Sequence, residues 1–194
     1  MKKSILLSVL ILCLSIFTSC VSTGLQKLHC SEVLTDRGVK NCKQLSSFFL
    51  ENNPAIEKKY ILNLAKLYVK EAAYEGINSD CAFVQMCLET GFLRFGNLVT
   101  KDMNNFCGLG SIDSSHPGEK FESEQMGVRA HVQHLHAYAT PSEVKLKNEC
   151  IDKRYKYVNP RGKAPTIFEL SGTWASDKVY GEKLKKLLSK LDNF

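Results

Sequence analysis

The chain has 194 residues, 44% of them hydrophobic and 24% charged, a length that suits one compact domain, and it shows neither internal repeats nor low-complexity blocks. Its formal charge of +6 falls to +4 once Lys2 and Lys3 are set aside with an N-terminal leader, and no basic stripe is interleaved with aromatics, which excludes a nucleic-acid partner. None of its eight cysteines forms a CxxC pair or a His/Cys cluster at zinc spacing, so neither a structural metal nor a cofactor is expected.

Residues 1–19 carry Lys2 and Lys3, an apolar run from Ile5 to Phe17, and small residues leading to Cys20, the layout of a secretory signal. Ser8 and Ser15 interrupt a run already shorter than the roughly 18 apolar residues of a membrane span. Thr18-Ser19-Cys20 resembles a lipobox, with Phe17 where Leu is usual, so Cys20 is expected to carry lipid. Acyl chains contribute about 0.8 kcal/mol per buried methylene, enough for stable attachment to a membrane, with simple secretion as the alternative. The polar, aperiodic residues 20–39 then read as a tether, and 40–194 as the folded domain, expected as a monomer. Setting Cys13 and Cys20 aside leaves Cys30, Cys42, Cys81, Cys87, Cys107 and Cys150; export permits disulfides among these six, with free buried thiols the alternative for Cys87.

Helical spacing predicts a helix over Lys40–Glu51, stopped at Asn52-Asn53-Pro54, and a longer one over Ile56–Gly76 with Ile61, Leu64, Ala65, Tyr68 and Ala72 on one side. Asn78, Ser79 and Asp80 offer caps for a third helix ending near Thr90, apolar almost all round and therefore buried mid-domain. From Phe92 to Phe121 the pattern breaks; a strand at Cys107–Ile112 and turn residues at Asp113–Gly118 predict a small β-hairpin lobe. Glu124–Thr140 returns to helix before Pro141, and a short helix near Thr166–Leu170 and a basic amphipathic one over Val179–Leu191 finish the chain.

On the third helix Gln85 and Glu89 stand four apart and share one face, a polar ridge on an apolar rod that must line something. Burial and the negative end of the helix dipole both raise a carboxyl in the last turn. An acid that stays protonated near neutrality is what cleavage of a glycosidic bond needs, because the leaving oxygen must receive a proton. Pairing of Glu89 with Arg94 is the bland alternative.

Val84-Gln85-Met86-Cys87-Leu88-Glu89-Thr90-Gly91, Asn104-Asn105-Phe106-Cys107-Gly108-Leu109, Gly127-Val128-Arg129-Ala130-His131 and Trp174-Ala175-Ser176-Asp177-Lys178-Val179-Tyr180 together resemble the glucosaminidase family that includes bacterial autolysins and flagellar wall hydrolases. The resemblance spans roughly residues 58–188. It implies an α+β, lysozyme-like fold, mainly helical with a small β-hairpin lobe, and hydrolysis of the β-1,4 bond after N-acetylglucosamine in peptidoglycan glycan strands. By the same resemblance Glu89 is the general acid and Trp174 and Tyr180 belong to the groove wall, with core packing the alternative for either. Gln85 on the ridge of Glu89 and Phe121 are expected to serve the sugar, and Asn105 and Phe106, where the loop enters the hairpin, serve either sugar contact or turn formation. Aromatic rings suit a pyranose, whose face is apolar and whose edge is polar. For a second carboxylate Asp113, Glu119 and Glu122 lie on the predicted lobe, with Asp113 slightly favoured; attack by the sugar's own acetamido oxygen would need none of them. His131 and His134 share a helix face without an HExxH pattern, so core or cleft-edge histidines are expected rather than zinc ligands. A lytic transglycosylase and a non-catalytic wall-binding lipoprotein are the competing functions.

Overall fold

The computed structural model describes residues 28–194, so the expected signal and the Cys20 attachment lie outside the described residues. Five helices carry the chain: α1 (Cys42–Asn52), α2 (Lys58–Glu75), α3 (Ser79–Glu89), α4 (Glu124–Ala139) and α5 (Tyr180–Leu191). Local chemistry sets several of their ends. Asn41 caps α1, with Gln44 closing the capping box; Asn78 accepts from the Asp80 and Cys81 amides to begin α3; Ser123 caps α4. Gly76, at φ 72°, ends α2 in the left-handed conformation that a side chain would resist.

The apolar circumference of α3 is matched by its position: it packs against α1, α2, α4 and α5, and Ala82, Phe83, Val84, Met86 and Cys87 have no exposed surface. The other helices bury one stripe each, α2 through Ile61, Leu64, Ala65, Tyr68 and Ala72. Across the α2–α4 seam the buried Glu71 accepts from Arg129 Nε at 2.9 Å and from Gln125 Nε2 at 2.8 Å. Burial alone would raise the Glu71 carboxyl, and these two partners reverse that, leaving it below the ordinary range.

Four expectations are corrected. The tether expected over 20–39 does not extend to its C-terminal part, because from Cys30 onward the chain is packed. Leu34 is 1% exposed, Val33 bridges Thr166 in antiparallel fashion, and Asp80 accepts from the Val39 amide at 2.7 Å. These partners lie far away in sequence, which a local pattern cannot show. The short helix near Thr166–Leu170 is instead a series of turns supporting that bridge. The β-hairpin is also absent: among the described residues the lobe holds only an isolated bridge between Asp113 and His116. Gly108 and Gly110 sit at φ 66° and 75°, which breaks an extended run, and the Asn105 side chain takes the place of a partner strand. Its Oδ1 accepts from the Leu109 amide at 2.9 Å, and its Nδ2 donates to the Leu109 and Glu119 carbonyls at 2.9 and 3.0 Å. Finally, the six cysteines from Cys30 to Cys150 are all free thiols, Cys87 fully buried among them.

Candidate active site

Glu89 is the last residue of α3, and beyond it the chain leaves the helix axis abruptly. Gly91, Phe92 and Leu93 take φ values of 57°, 56° and 59°, a left-handed turn in which two of three residues carry side chains. The turn is held by the Phe92 amide on the Cys87 carbonyl at 2.7 Å, by the Leu93 amide on Thr90 Oγ1 at 2.9 Å, and by Asn53 Nδ2 on the Phe92 carbonyl at 2.7 Å. Phe92 itself lies 5.8 and 5.6 Å from the rings of Phe48 and Phe49. Arg94 is directed to the Gly91 and Asn52 carbonyls, which excludes the pairing with Glu89 that the sequence left open.

With the chain reversed, Glu89 stands at a cleft of about 320 Å³ whose lining includes Thr90, Asn97, Asn105, Gly108, Ser111 and Trp174. Glu89 Oε1 accepts two hydrogen bonds, from Trp174 Nε1 at 3.0 Å and from the Tyr180 hydroxyl. Oε2 has no partner within the protein, and since no buried polar side-chain atom among the described residues lacks one, Oε2 opens to the cleft. Burial raises the carboxyl, the Tyr180 and Trp174 donors oppose that, and burial prevails. The arrangement can therefore hold a proton on Oε2 and hand it to an oxygen bound in the cleft.

The other expected site residues divide. Trp174 lines the cleft and touches the acid, with its ring packed against His131, His134 and Tyr138 at centroid distances of 5.8, 5.1 and 5.3 Å. Asn105 lines the cleft but is fully buried, so it shapes the wall through the backbone it binds. Tyr180, at 5% exposure, is not a sugar platform; it is a donor behind the acid. Gln85 is 1% exposed and donates to the Tyr180 hydroxyl at 3.0 Å, so it too works behind the surface. Phe106 is buried against Tyr68, 6.5 Å between centroids, and Phe121 packs with Cys107 and Leu109; neither lines the cleft.

The structure does not bring Asp113 to Glu89. Its carboxylate accepts from the Ser115 hydroxyl and from the Ser115 and His116 amides, which hold it below the ordinary carboxylate range at the tip of an exposed turn. Glu119 pairs with Lys153 at 2.8 Å and Glu122 is exposed, so among the described residues Glu89 is the one carboxylate lining this cleft. Asp177 accepts from the Val179 amide and pairs with Lys183, fixing the entry to α5. The histidines gather no metal-binding group among the described residues. Sequence reasoning missed Asn97, Val99 and Ser111 in the lining, because residues 92–111 have no period to reveal which side chains face inward. It also missed that His131 bonds Gln85; both sit in apolar helical surroundings, and their meeting depends on how α3 and α4 cross.

A raised carboxyl facing a cleft in a mainly helical domain is an arrangement compatible with general-acid chemistry. The glucosaminidase family, described as mannosyl-glycoprotein endo-β-N-acetylglucosaminidase, matches residues 65–193, and the chain belongs to that family. It is 42% identical over 171 residues to an uncharacterized protein of Borreliella burgdorferi, covering 88% of this chain and 82% of that one. Among solved structures it is similar in fold to S. aureus autolysin E, crystallised in complex with the muropeptide NAM-L-Ala-D-iGlu. The TM-score is 0.53 at 14% identity, over 87% of this chain and 74% of that one.

Proposed function

We propose that the protein is a peptidoglycan hydrolase, an endo-β-N-acetylglucosaminidase that cuts the β-1,4 bond after N-acetylglucosamine, with Glu89 as general acid. The observation that carries this reading is the asymmetry of the Glu89 carboxyl: Oε1 is saturated by two donors inside the protein while Oε2 faces the cleft. A proton on Oε2 is thus delivered outward to the leaving oxygen. General acids contribute about 10²–10⁴-fold to rate. Glu89→Gln keeps the shape and both Oε1 contacts but cannot deliver a proton, so wall hydrolysis should fall by at least about 100-fold at equal folded protein. Turnover within tenfold of wild type would refute the assignment.

Because no second carboxylate among the described residues shares the lining, the reading favours attack by water or by the sugar's own acetamido oxygen over a protein nucleophile. Digested peptidoglycan should then end in reducing N-acetylglucosamine, which borohydride reduces; dominant 1,6-anhydro-muramic ends would instead identify a lytic transglycosylase. The expected export and lipid attachment at Cys20 belong to the same reading, and loss of fatty-acid label in Cys20→Ala is the check on it.

A further inference from the structure

Behind Glu89 a chain of hydrogen bonds runs inward through four buried side chains. Gln85 Nε2 donates to the Tyr180 hydroxyl at 3.0 Å, Gln85 Oε1 meets His131 Nε2 at 3.0 Å, and His131 Nδ1 meets the Tyr68 hydroxyl at 2.9 Å. Gln85, His131 and Tyr68 are at most 1% exposed, so water does not compete for these groups.

The directions follow from the chemistry of each atom. Gln85 Oε1 carries no hydrogen, so His131 Nε2 must donate to it. Burial drives the His131 ring down to about 3, so near neutrality it has a single proton, and with that proton on Nε2, its Nδ1 accepts from Tyr68. Since Gln85 Nε2 can only donate, the one proton of the Tyr180 hydroxyl is left to point at Glu89 Oε1. Every donor therefore points toward the acid. The chain has one other self-consistent arrangement, reached by turning the Gln85 amide over and moving the His131 proton to Nδ1: the Tyr180 hydroxyl then donates to Gln85 Oε1, and the proton of Glu89 sits on Oε1, pointing into the core. Trp174 Nε1, which can only donate, holds Oε1 as an acceptor and favours the first arrangement from the far end.

We propose that His131 is a positioning residue for the reaction: through Gln85 and Tyr180 it selects the arrangement in which the proton of Glu89 occupies Oε2, the oxygen that faces the cleft. This rests on Glu89 acting as the acid. Removing His131 frees the Gln85 amide to turn, and the acid then loses the Tyr180 donor and keeps part of its proton on the wrong oxygen. Two effects result, with fixed signs. Loss of a donor to the carboxylate disfavours its charged form, so the basic limb of the rate profile moves to higher pH. The deliverable share of the proton also falls, which lowers kcat and leaves KM nearly unchanged, since none of the three inner residues lines the cleft.

The other titratable groups around the chain do not produce these signs. Burial holds the Tyr68 hydroxyl of α2, the Cys87 thiol of α3 and the Cys107 thiol of the neighbouring loop well above their usual ranges, and pushes Tyr60 up to about 12. His134 of α4, paired with Asp152 at 2.7 Å, is present in wild type and variants alike and drops out of their comparison. Asp177, beside α5, is exposed and paired with Lys183.

The test is the pH dependence of kcat and KM on a soluble glycan oligosaccharide for wild type, His131→Phe, His131→Gln, Tyr180→Phe and the His131→Phe/Tyr180→Phe double variant. His131→Phe and Tyr180→Phe should each lose about tenfold in kcat with KM within about twofold, the size expected for one hydrogen bond to a charged group. Both should move the basic limb upward, and the double variant should move it no further than Tyr180→Phe alone. His131→Gln, whose amide can donate from the Nε2 position, should return the limb to its wild-type place. A limb unmoved in His131→Phe while Tyr180→Phe shifts it, or additive shifts in the double variant, would overturn the proposal. If His131→Phe fails to fold, Gln85→Leu breaks the same link and faces the same criteria. Glu89→Gln measured alongside separates the two readings: activity retained there refutes the acid itself, whereas an inactive Glu89→Gln with unmoved profiles refutes only the role of His131.

Discussion

Gly127→Ala sets two effects of opposite sign against each other. In an ordinary helix interior alanine is better than glycine by about 1 kcal/mol, so helix propensity alone predicts that α4 gains stability. The structure predicts the reverse. A Cβ on Gly127 would stand 1.7 Å from the Asn104 carbonyl oxygen and 2.9 Å from its carbon, whereas real Cβ contacts essentially never fall below 3.0 Å. The oxygen must retreat by roughly 1.3 Å, and being backbone it carries Asn105 with it. Forcing atoms into packed space costs about 1–3 kcal/mol, and a rigid carbonyl in place of a pliable side chain puts this site at the upper end. The net loss is then about 2 kcal/mol, or a Tm lower by roughly 4–8 °C for a domain of this size. Activity should suffer more than stability, because Asn105 shapes the wall of the acid's cleft and a misplacement of about 1 Å can cost on the order of 100-fold in rate. Thermal melts and kcat/KM on soluble glycan measure both. A variant that melts at or above wild type with activity within threefold would show that α4 and the Asn104 carbonyl do not meet so closely.

Two further outcomes rest on burial. Leu34→Ala should cost about 2–5 kcal/mol, seen as a Tm fall of roughly 5–15 °C, because Leu34 is 1% exposed; a change below about 0.5 kcal/mol would return residues 30–39 to the status of a tether. Glu89→Gln should be more stable than wild type above the titration of the acid. The folded carboxyl lies above its unfolded value, so the unfolded chain releases this proton first, and stability is lost as pH rises through the folded value. The gap between the two melting curves should close at low pH, and a gap independent of pH would contradict a raised Glu89.

Those parts of the fold that depend on local spacing were legible in the sequence. Asn78 as a cap, Gly76 as a stop and the all-round apolar surface of α3 each have a physical cause within a turn or two of the residue concerned. Glu89 stood out for the same reason, a charge on an otherwise apolar rod. The features that escaped depend on distant partners. The bridge from Val33 to Thr166 leaves no periodic trace at either end, and the predicted hairpin is replaced by a loop organised around one asparagine side chain. Gln85 and Tyr180 do lie beside the acid, but their direction was not readable. A polar residue on the face of Glu89 can look into the cleft or across to a neighbouring helix, and only the crossing of α3 with α4 and α5 sends Gln85 inward to His131 and Tyr180.

The left-handed turn after Glu89 links these elements to the chemistry. A side-chain-bearing residue in that conformation costs roughly 1–2 kcal/mol, and Phe92, Leu93 and Phe95 all adopt it. Each aromatic contact of Phe92 with Phe48 and Phe49 contributes about 0.5–1.5 kcal/mol beyond burial, and the bonds from Asn53 and Thr90 about as much again, so packing and strain are of similar size. A straight continuation of α3 would avoid the strain, but it would forfeit the Phe92 packing and the bonds from Asn53 and Thr90. The reversal ends the helix on the acid itself, so the carboxyl sits at the negative end of the dipole with one oxygen in the core and one in the cleft. The acid is thus placed by the folding of α1, α3 and the turn, while the rest of the cleft lining comes from residues 90–111 and 174–175. Under the proposed function, changes among residues 95–111 of the lining alter which glycan is bound, whereas Oε1 keeps its donors from Trp174 and Tyr180.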